Sequence, residues 1–157
     1  MSEGNSSIAY RQEMLTYSTA FRADNDNLVN ILLVEDDYCD TLLTIQGVNS
    51  TQIPYNLDRI TNGDDVIPYL KNCMQAQLPD LLLLDMGLPG MNGFEILSTL
   101  AEAPAVMRAI PIAIITGHTN FEYLPKSYQL PIYGYLPKPL RFETIQPILS
   151  KVIDLRS

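Results

Sequence analysis

The chain has no tryptophan, one histidine, two cysteines and only 10 lysines and arginines among its 157 residues. Set against 18 aspartates and glutamates, that shortage of positive charge gives a formal charge of −8. Direct nucleic-acid binding is argued against, because it rests on Lys and Arg neutralising phosphates. A partner that itself binds nucleic acid stays open. Cys39 and Cys73 lack both CxxC spacing and a surrounding histidine cluster, so neither a dithiol redox motif nor a zinc site is indicated. They read as reduced, partly buried thiols. No apolar run approaches the roughly 20 residues that span a bilayer. The opening MSEGNSSIAY lacks the basic and apolar blocks of a secretion signal. The expected setting is a reducing cytoplasm, with no membrane partner.

What is present is an alternation. At 46 % hydrophobic and 18 % charged residues the composition is that of a globular protein. The length suits one domain that buries roughly 70 % of its unfolded surface. Apolar runs recur between segments of helical spacing, the pattern of a parallel sheet covered by helices. NILLVEDD places a strand at Ile31 to Val34, and helical spacing runs from Tyr38 to about Val48. YNLDRI is a weaker strand, and Asn62-Gly63 signals a turn before a helix with Val66, Leu70 and Met74 on one side. PDLLLLD is the central strand, since near-continuous apolar residues imply burial on both faces. Phe94, Leu97, Leu100 and Ala101 mark the next helix, and PIAIIT the fourth strand. PIYGYLPKP holds the fifth. Ile145, Leu149 and Val152 mark a last helix that Pro147 either starts or bends. Five strands alternating with helices suit a flavodoxin-like doubly wound parallel sheet of order 2-1-3-4-5 with helices on both faces, over residues 29–157. Residues 1–28 form an extension. Tyr10, Met14, Tyr17 and Phe21 suit an amphipathic helix before the linker ADNDN, and a disordered tail suits that segment equally.

Polar residues collect where the strands end. The first strand delivers Glu35, Asp36 and Asp37, the third Asp85, the fourth Thr116, and Lys138 follows the fifth. Ligands of open parallel sheets bind outside those carboxyl ends, where the strand order reverses. A single acid there reads as a helix cap, but groups from four strands are harder to explain that way. Crowded carboxylates share protons or hold a cation, and oxygen-only ligands favour a hard ion such as Mg²⁺. Such a site suits phosphoryl chemistry. Asp85, ending the central strand, is the candidate nucleophile; Lys138 offsets charge on the transferring group, and Thr116 offers a hydroxyl to the bound phosphate.

The motifs LLVEDD, LLLLDMGLPGMNG, AIITG and YGYLPKP, in this order, make the chain resemble a response-regulator receiver domain from about Val29 to Ile153. The resemblance implies a single-domain regulator of a two-component phosphorelay, a signalling phosphoacceptor rather than a general enzyme. In that family's pattern Glu35 and Asp36 hold Mg²⁺, Asp85 accepts the phosphoryl group, and the backbone carbonyl of Gly87 is a further metal ligand. Thr116 is the switch hydroxyl, Lys138 binds phosphate, Tyr135 changes rotamer, and Pro89 and Gly93 shape the loop after the acceptor. Gly87 and His118 occupy the two positions that tune self-dephosphorylation; His118 either meets the phosphate or is a solvated loop side chain. The implied partners are a histidine kinase and a downstream protein, with a homodimer through the tyrosine-rich tail or the last two strands a further expectation. The spacing from the first acids to Asp85 and the long approach AEAPAVMRAIPI resemble the small regulators paired with phytochrome kinases. No output segment is expected after the last helix. Pro125 and Pro131 fall where the family's fourth helix and its exit lie, so that helix is expected short or irregular. An alternative is a phosphorylation-independent interaction module on the same fold. A Mg²⁺-dependent phosphate-ester hydrolase is disfavoured because Gly87 stands where its second acid would be, and a flavin carrier because the loops are acidic.

Overall fold

The computed structural model describes residues 15–18, 28–74, 77–117 and 129–156. Among the described residues six strands form one sheet: β1 (Leu15–Ser18), β2 (Val29–Val34), β3 (Tyr55–Ile60), β4 (Leu81–Asp85), β5 (Ile112–Thr116) and β6 (Ile132–Pro137). The helices are α1 (Tyr38–Ser50), α2 (Val66–Cys73, preceded by a 3₁₀ turn), α3 (Gly93–Ala101), the single-turn α4 (Ala105–Arg108) and α5 (Phe142–Arg156). The order is β1-β3-β2-β4-β5-β6. The five parallel strands β2 to β6 therefore follow 2-1-3-4-5, the flavodoxin-like arrangement.

The four leucines before Asp85 serve two cores. Leu82 and Leu84 face one side with Leu32, Ile112 and Ile114, under Val66, Leu70, Ile96, Leu97 and Leu100 of α2 and α3. Leu81 and Leu83 face the other with Ile31, Leu33, Ala113 and Ile115, under Val48 of α1 and Ile145, Leu149 and Val152 of α5. The two-residue period of a strand makes this division, so a strand buried on both faces reads as an unbroken apolar run. Each fully buried leucine contributes about 2 kcal/mol through apolar area removed from water.

Within the expected helix, the four described residues Leu15–Ser18 differ from it. Leu15–Ser18, which includes Tyr17, is a strand antiparallel to β3, with Tyr17 opposite Leu57. An isolated short helix is marginal, whereas a strand here satisfies the outer backbone groups of β3, which would otherwise form the sheet edge. Tyr10, Met14, Phe21 and the ADNDN segment lie outside the described residues. Three smaller expectations also shift. Phe94 and Met74 are exposed, because Asn92 caps α3 so that Ile96, Leu97 and Leu100 point inward, and α2 stops at Cys73. Cys39 is exposed rather than partly buried, and both cysteines are free. α5 begins at Phe142 and carries Pro147 inside it. The expected fourth helix falls largely on residues 118–128, outside the described residues, as do Pro125 and His118; Pro131 precedes β6 and its carbonyl accepts the Ile112 N–H. Among the described residues no helix is long and apolar enough to cross a membrane.

Candidate functional site

The strand order reverses between β2 and β4, and the two strands pair in parallel from Ile31 with Leu81 to Val34 with Leu84. Their carboxyl ends therefore bring Glu35, Asp36 and Asp85 side by side. One carboxylate oxygen from each lies within 4.8 Å of the others. The third acid of the first cluster, Asp37, acts locally, since its side chain accepts the Asp40 N–H at 2.8 Å and caps α1. The cap reading that applies to any single strand-end acid holds for Asp37, while its neighbours turn towards Asp85.

Glu35 is the most constrained of the group. Its side chain is fully buried, and Oε1 accepts the Asp37 N–H at 3.1 Å. Oε2 lies 2.8 Å from the Lys138 ammonium, at an angle that leaves it without a hydrogen bond. Burial pushes this carboxyl up to about 7, against the opposing effect of Lys138, and the nearby Asp85 adds to the rise. Lys138 shows the converse balance. Burial disfavours its charge, but its pairing with the carboxylates of Glu35, Asp40 and Asp85 outweighs burial and raises it above the usual lysine range.

Asp85 is 7 % exposed, and its two oxygens have separate partners. Oδ2 accepts from Lys138 at 3.1 Å and Oδ1 from the Gly87 N–H at 3.2 Å. The loop beyond it is clasped by the β3–α2 turn. Gly63 N–H donates to the Pro89 carbonyl at 3.0 Å, and Asp64 Oδ1 accepts the Met91 N–H at 2.9 Å. A Cβ at Gly63 would overlap the Met91 carbonyl, and Gly90 has φ +70, so both positions require glycine. Gly93, buried at the start of α3, donates to the Met86 carbonyl at 3.2 Å. Gly87 is exposed, with open space where a side chain would project.

Thr116 ends β5 beside Asp85, whose β-partner is Ile115, and its carbonyl accepts the Lys138 N–H at 2.8 Å. Tyr135 lies on β6 opposite Ile114, with 43 % of its surface exposed. Of the residues expected at the site, Glu35, Asp36, Asp85, Gly87, Thr116 and Lys138 thus converge, and Tyr135 stands one strand further out.

Two participants were not legible in the sequence. Asp40 meets the Lys138 ammonium at 2.9 Å. Arg59, 6 % exposed, donates through Nε to the Glu35 carbonyl at 3.0 Å and through Nη2 to the Asp36 carbonyl at 3.1 Å. It holds the backbone that carries both acids. The partners lie 98 and 24 or 23 residues apart in the chain, so no local pattern announces them.

The donor set fits a hard divalent cation. Three carboxylates from two strands converge, and a buried oxygen of Glu35 has no hydrogen bond. All-oxygen ligation of this kind suits Mg²⁺ rather than a thiol- or imidazole-seeking metal.

Comparison with known proteins agrees with this geometry. Residues 31–150 match the family model described as "Response regulator receiver domain". The probable methanogenesis regulatory protein FilR2 of Methanothrix harundinacea is 29 % identical over 124 residues, covering 78 % of this chain and 79 % of FilR2. Response regulator Rcp1 of Synechocystis sp. is 31 % identical over 111 residues, covering 69 % and 75 %. A solved Mn(2+)-bound form of response regulator Rcp1 superposes with a TM-score of 0.61 at 30 % identity, covering 77 % of this chain and 91 % of that one. The bacteriophytochrome response regulator RtBRR superposes with a TM-score of 0.68 at 28 % identity, covering 80 % and 78 %.

Proposed function

This chain belongs to the response-regulator receiver family, and on that premise we propose that it takes a phosphoryl group from a histidine kinase onto Asp85 and signals through the surface beside it. The observation that carries the reading is the placement of the Asp85 carboxylate: at the end of the buried central strand, against the Lys138 ammonium, and in one cluster with Glu35 and Asp36. In the transfer a carboxylate oxygen of Asp85 bonds to phosphorus while the phosphorus–nitrogen bond of the donor phosphohistidine breaks. The electron pair leaves on the imidazole nitrogen, and Asp85 becomes an acyl phosphate.

Glu35, Asp36, Asp85 and the Gly87 carbonyl would hold Mg²⁺. When bound, that ion offsets negative charge on the transferring group. Lys138 supplies a positive charge to the same group and anchors it afterwards. Arg59 keeps the Glu35 and Asp36 backbone in place. Thr116, at the end of the neighbouring strand, offers its hydroxyl to the acyl phosphate. Its movement, followed by that of Tyr135, favours one of two surface arrangements. Gly87 leaves open space at one of the two positions that set how readily water reaches the acyl phosphate, and His118 is the residue at the other. The absence of a second acid at Gly87 supports a phosphoacceptor rather than a phosphate-ester hydrolase. The kinase partner is of the phytochrome type, by likeness to RtBRR, and the setting is the cytoplasm.

Incubation with Mg²⁺ and acetyl phosphate, followed by intact-mass measurement, tests the reading. Wild type is expected to gain one phosphoryl group in a chelator-sensitive manner, and Asp85→Asn none. A folded wild type that gains nothing overturns the proposal.

A further inference from the structure

Three carboxylates share one ammonium at this site, and the proposed chemistry uses only two of them. Lys138 Nζ lies 2.8 Å from Glu35 Oε2, 2.9 Å from Asp40 Oδ2 and 3.1 Å from Asp85 Oδ2. A lysine ammonium has three N–H donors and no acceptor; here it donates to Asp40 and Asp85 while the Glu35 carboxylate closes its third side as an ion pair, so the ammonium is ringed by three carboxylates.

Asp40 is fixed in this role by its own backbone. It stands in the first turn of α1, where its N–H is held by the Asp37 cap at 2.8 Å. From there its carboxylate reaches a lysine that follows directly after β6. The three carboxylates differ in how readily they can let go. Glu35 is fully buried, and losing its cation would leave an uncompensated buried group. The Asp40 side chain is 34 % exposed, so water can replace the ammonium at small cost.

Phosphorylation of Asp85 brings new anionic oxygens to Lys138, and one existing partner has to yield. We propose that Asp40 is a positioning residue that competes with the phosphoryl group for Lys138, holding the ammonium at α1 in the resting protein and releasing it when Asp85 is phosphorylated. The proposal rests on the phosphoacceptor reading above. It makes Asp40 a brake on the phosphorylated state and ties the start of α1 to the chemistry at Asp85.

Titration with beryllofluoride, a phosphoryl mimic, at fixed Mg²⁺ gives the test in four proteins: wild type, Asp40→Asn, Lys138→Met and the double variant. Asp40→Asn is expected to bind roughly two- to fivefold tighter than wild type, the range of a partly exposed ion pair. In the Lys138→Met background the same substitution is expected to change nothing, because the competition acts through that ammonium. Asp40→Ala should repeat the tightening, and Asp40→Glu should restore wild-type affinity. Equal or weaker binding by Asp40→Asn overturns the proposal. Equal tightening with and without Lys138 also overturns it, since that is the mark of through-space repulsion alone. A wild type that binds beryllofluoride and gains phosphate on Asp85, with Asp40 variants unchanged, sinks this inference alone. A wild type that does neither sinks the receiver reading and this inference together.

Discussion

The two flanks of Asp85 are built on opposite plans. On the β2 side Glu35 is held by the Asp37 amide and Lys138, and the Glu35 and Asp36 backbone by Arg59. On the β5–β6 side Thr116 is buried at its strand end, and Tyr135, one strand further out, is 43 % exposed. The difference follows from what each flank has to do. Gathering like charges requires a frame rigid enough to resist their repulsion. Under the proposed function the second flank carries the switch, and elements that move are drawn from the less stable parts of a fold.

Substitutions can break that contrast, and the largest effect is expected at Arg59. Arg59→Ala leaves the Glu35 and Asp36 carbonyls without their donors in a buried setting, at about 1–3 kcal/mol for each unmade hydrogen bond. Urea denaturation should show a loss of several kcal/mol in total; a loss below about 1 kcal/mol would mean that the β2 flank is not held by this residue.

Glu35 offers a test that depends on pH. Its folded value of about 7 lies above the ordinary value of 4.5. The folded protein therefore holds this proton more tightly than the unfolded chain. The associated stability is fully present below about pH 4.5 and is lost as pH rises through 7. Glu35→Gln removes this dependence, so the stability of the variant relative to wild type should improve between about pH 4.5 and 7.5 in metal-free buffer. Added Mg²⁺ should narrow the gap above about pH 7 by binding only the wild-type carboxylate set well. A gap that stays constant across this range would rule out a proton-holding Glu35.

On the other flank the effects should be smaller. Thr116→Ala is expected to cost about 1 kcal/mol in stability, and to preserve phosphoryl gain by mass while blunting the beryllofluoride-induced shift in Tyr135 ring signals by NMR. Tyr135→Phe should stay within about 0.5 kcal/mol of wild type. A penalty at Tyr135 comparable to that at Arg59 would erase the contrast between the flanks.

Much of this design was legible in the sequence because it is written in short-range patterns. The LLLLD run betrays β4, since alternate residues face two cores and all are apolar. The strand-end acids stand out because charge directly after such a run has no packing explanation. α1 illustrates the opposite case. It buries Thr41, Thr44, Gly47 and Val48 while Leu42 and Leu43 face outward, so its apolar pattern says little about its inner face. β1 escaped because four residues of mixed character gain their strand only from the edge of β3. Arg59 and Asp40 escaped because their meaning lies in partners that only the folded sheet supplies.

The adjacency of β2 and β4 has a consequence for the protein's biosynthesis. Asp36 and Asp85 are 49 positions apart, and Lys138 lies another 53 beyond. No partly synthesised chain lacking β6 holds all three together, and Asp85 meets the repulsion of Glu35 and Asp36 once β4 has paired with β2. On the proposed function, competence to accept a phosphoryl group thus arrives only after the last strand, when Lys138 joins the two acids.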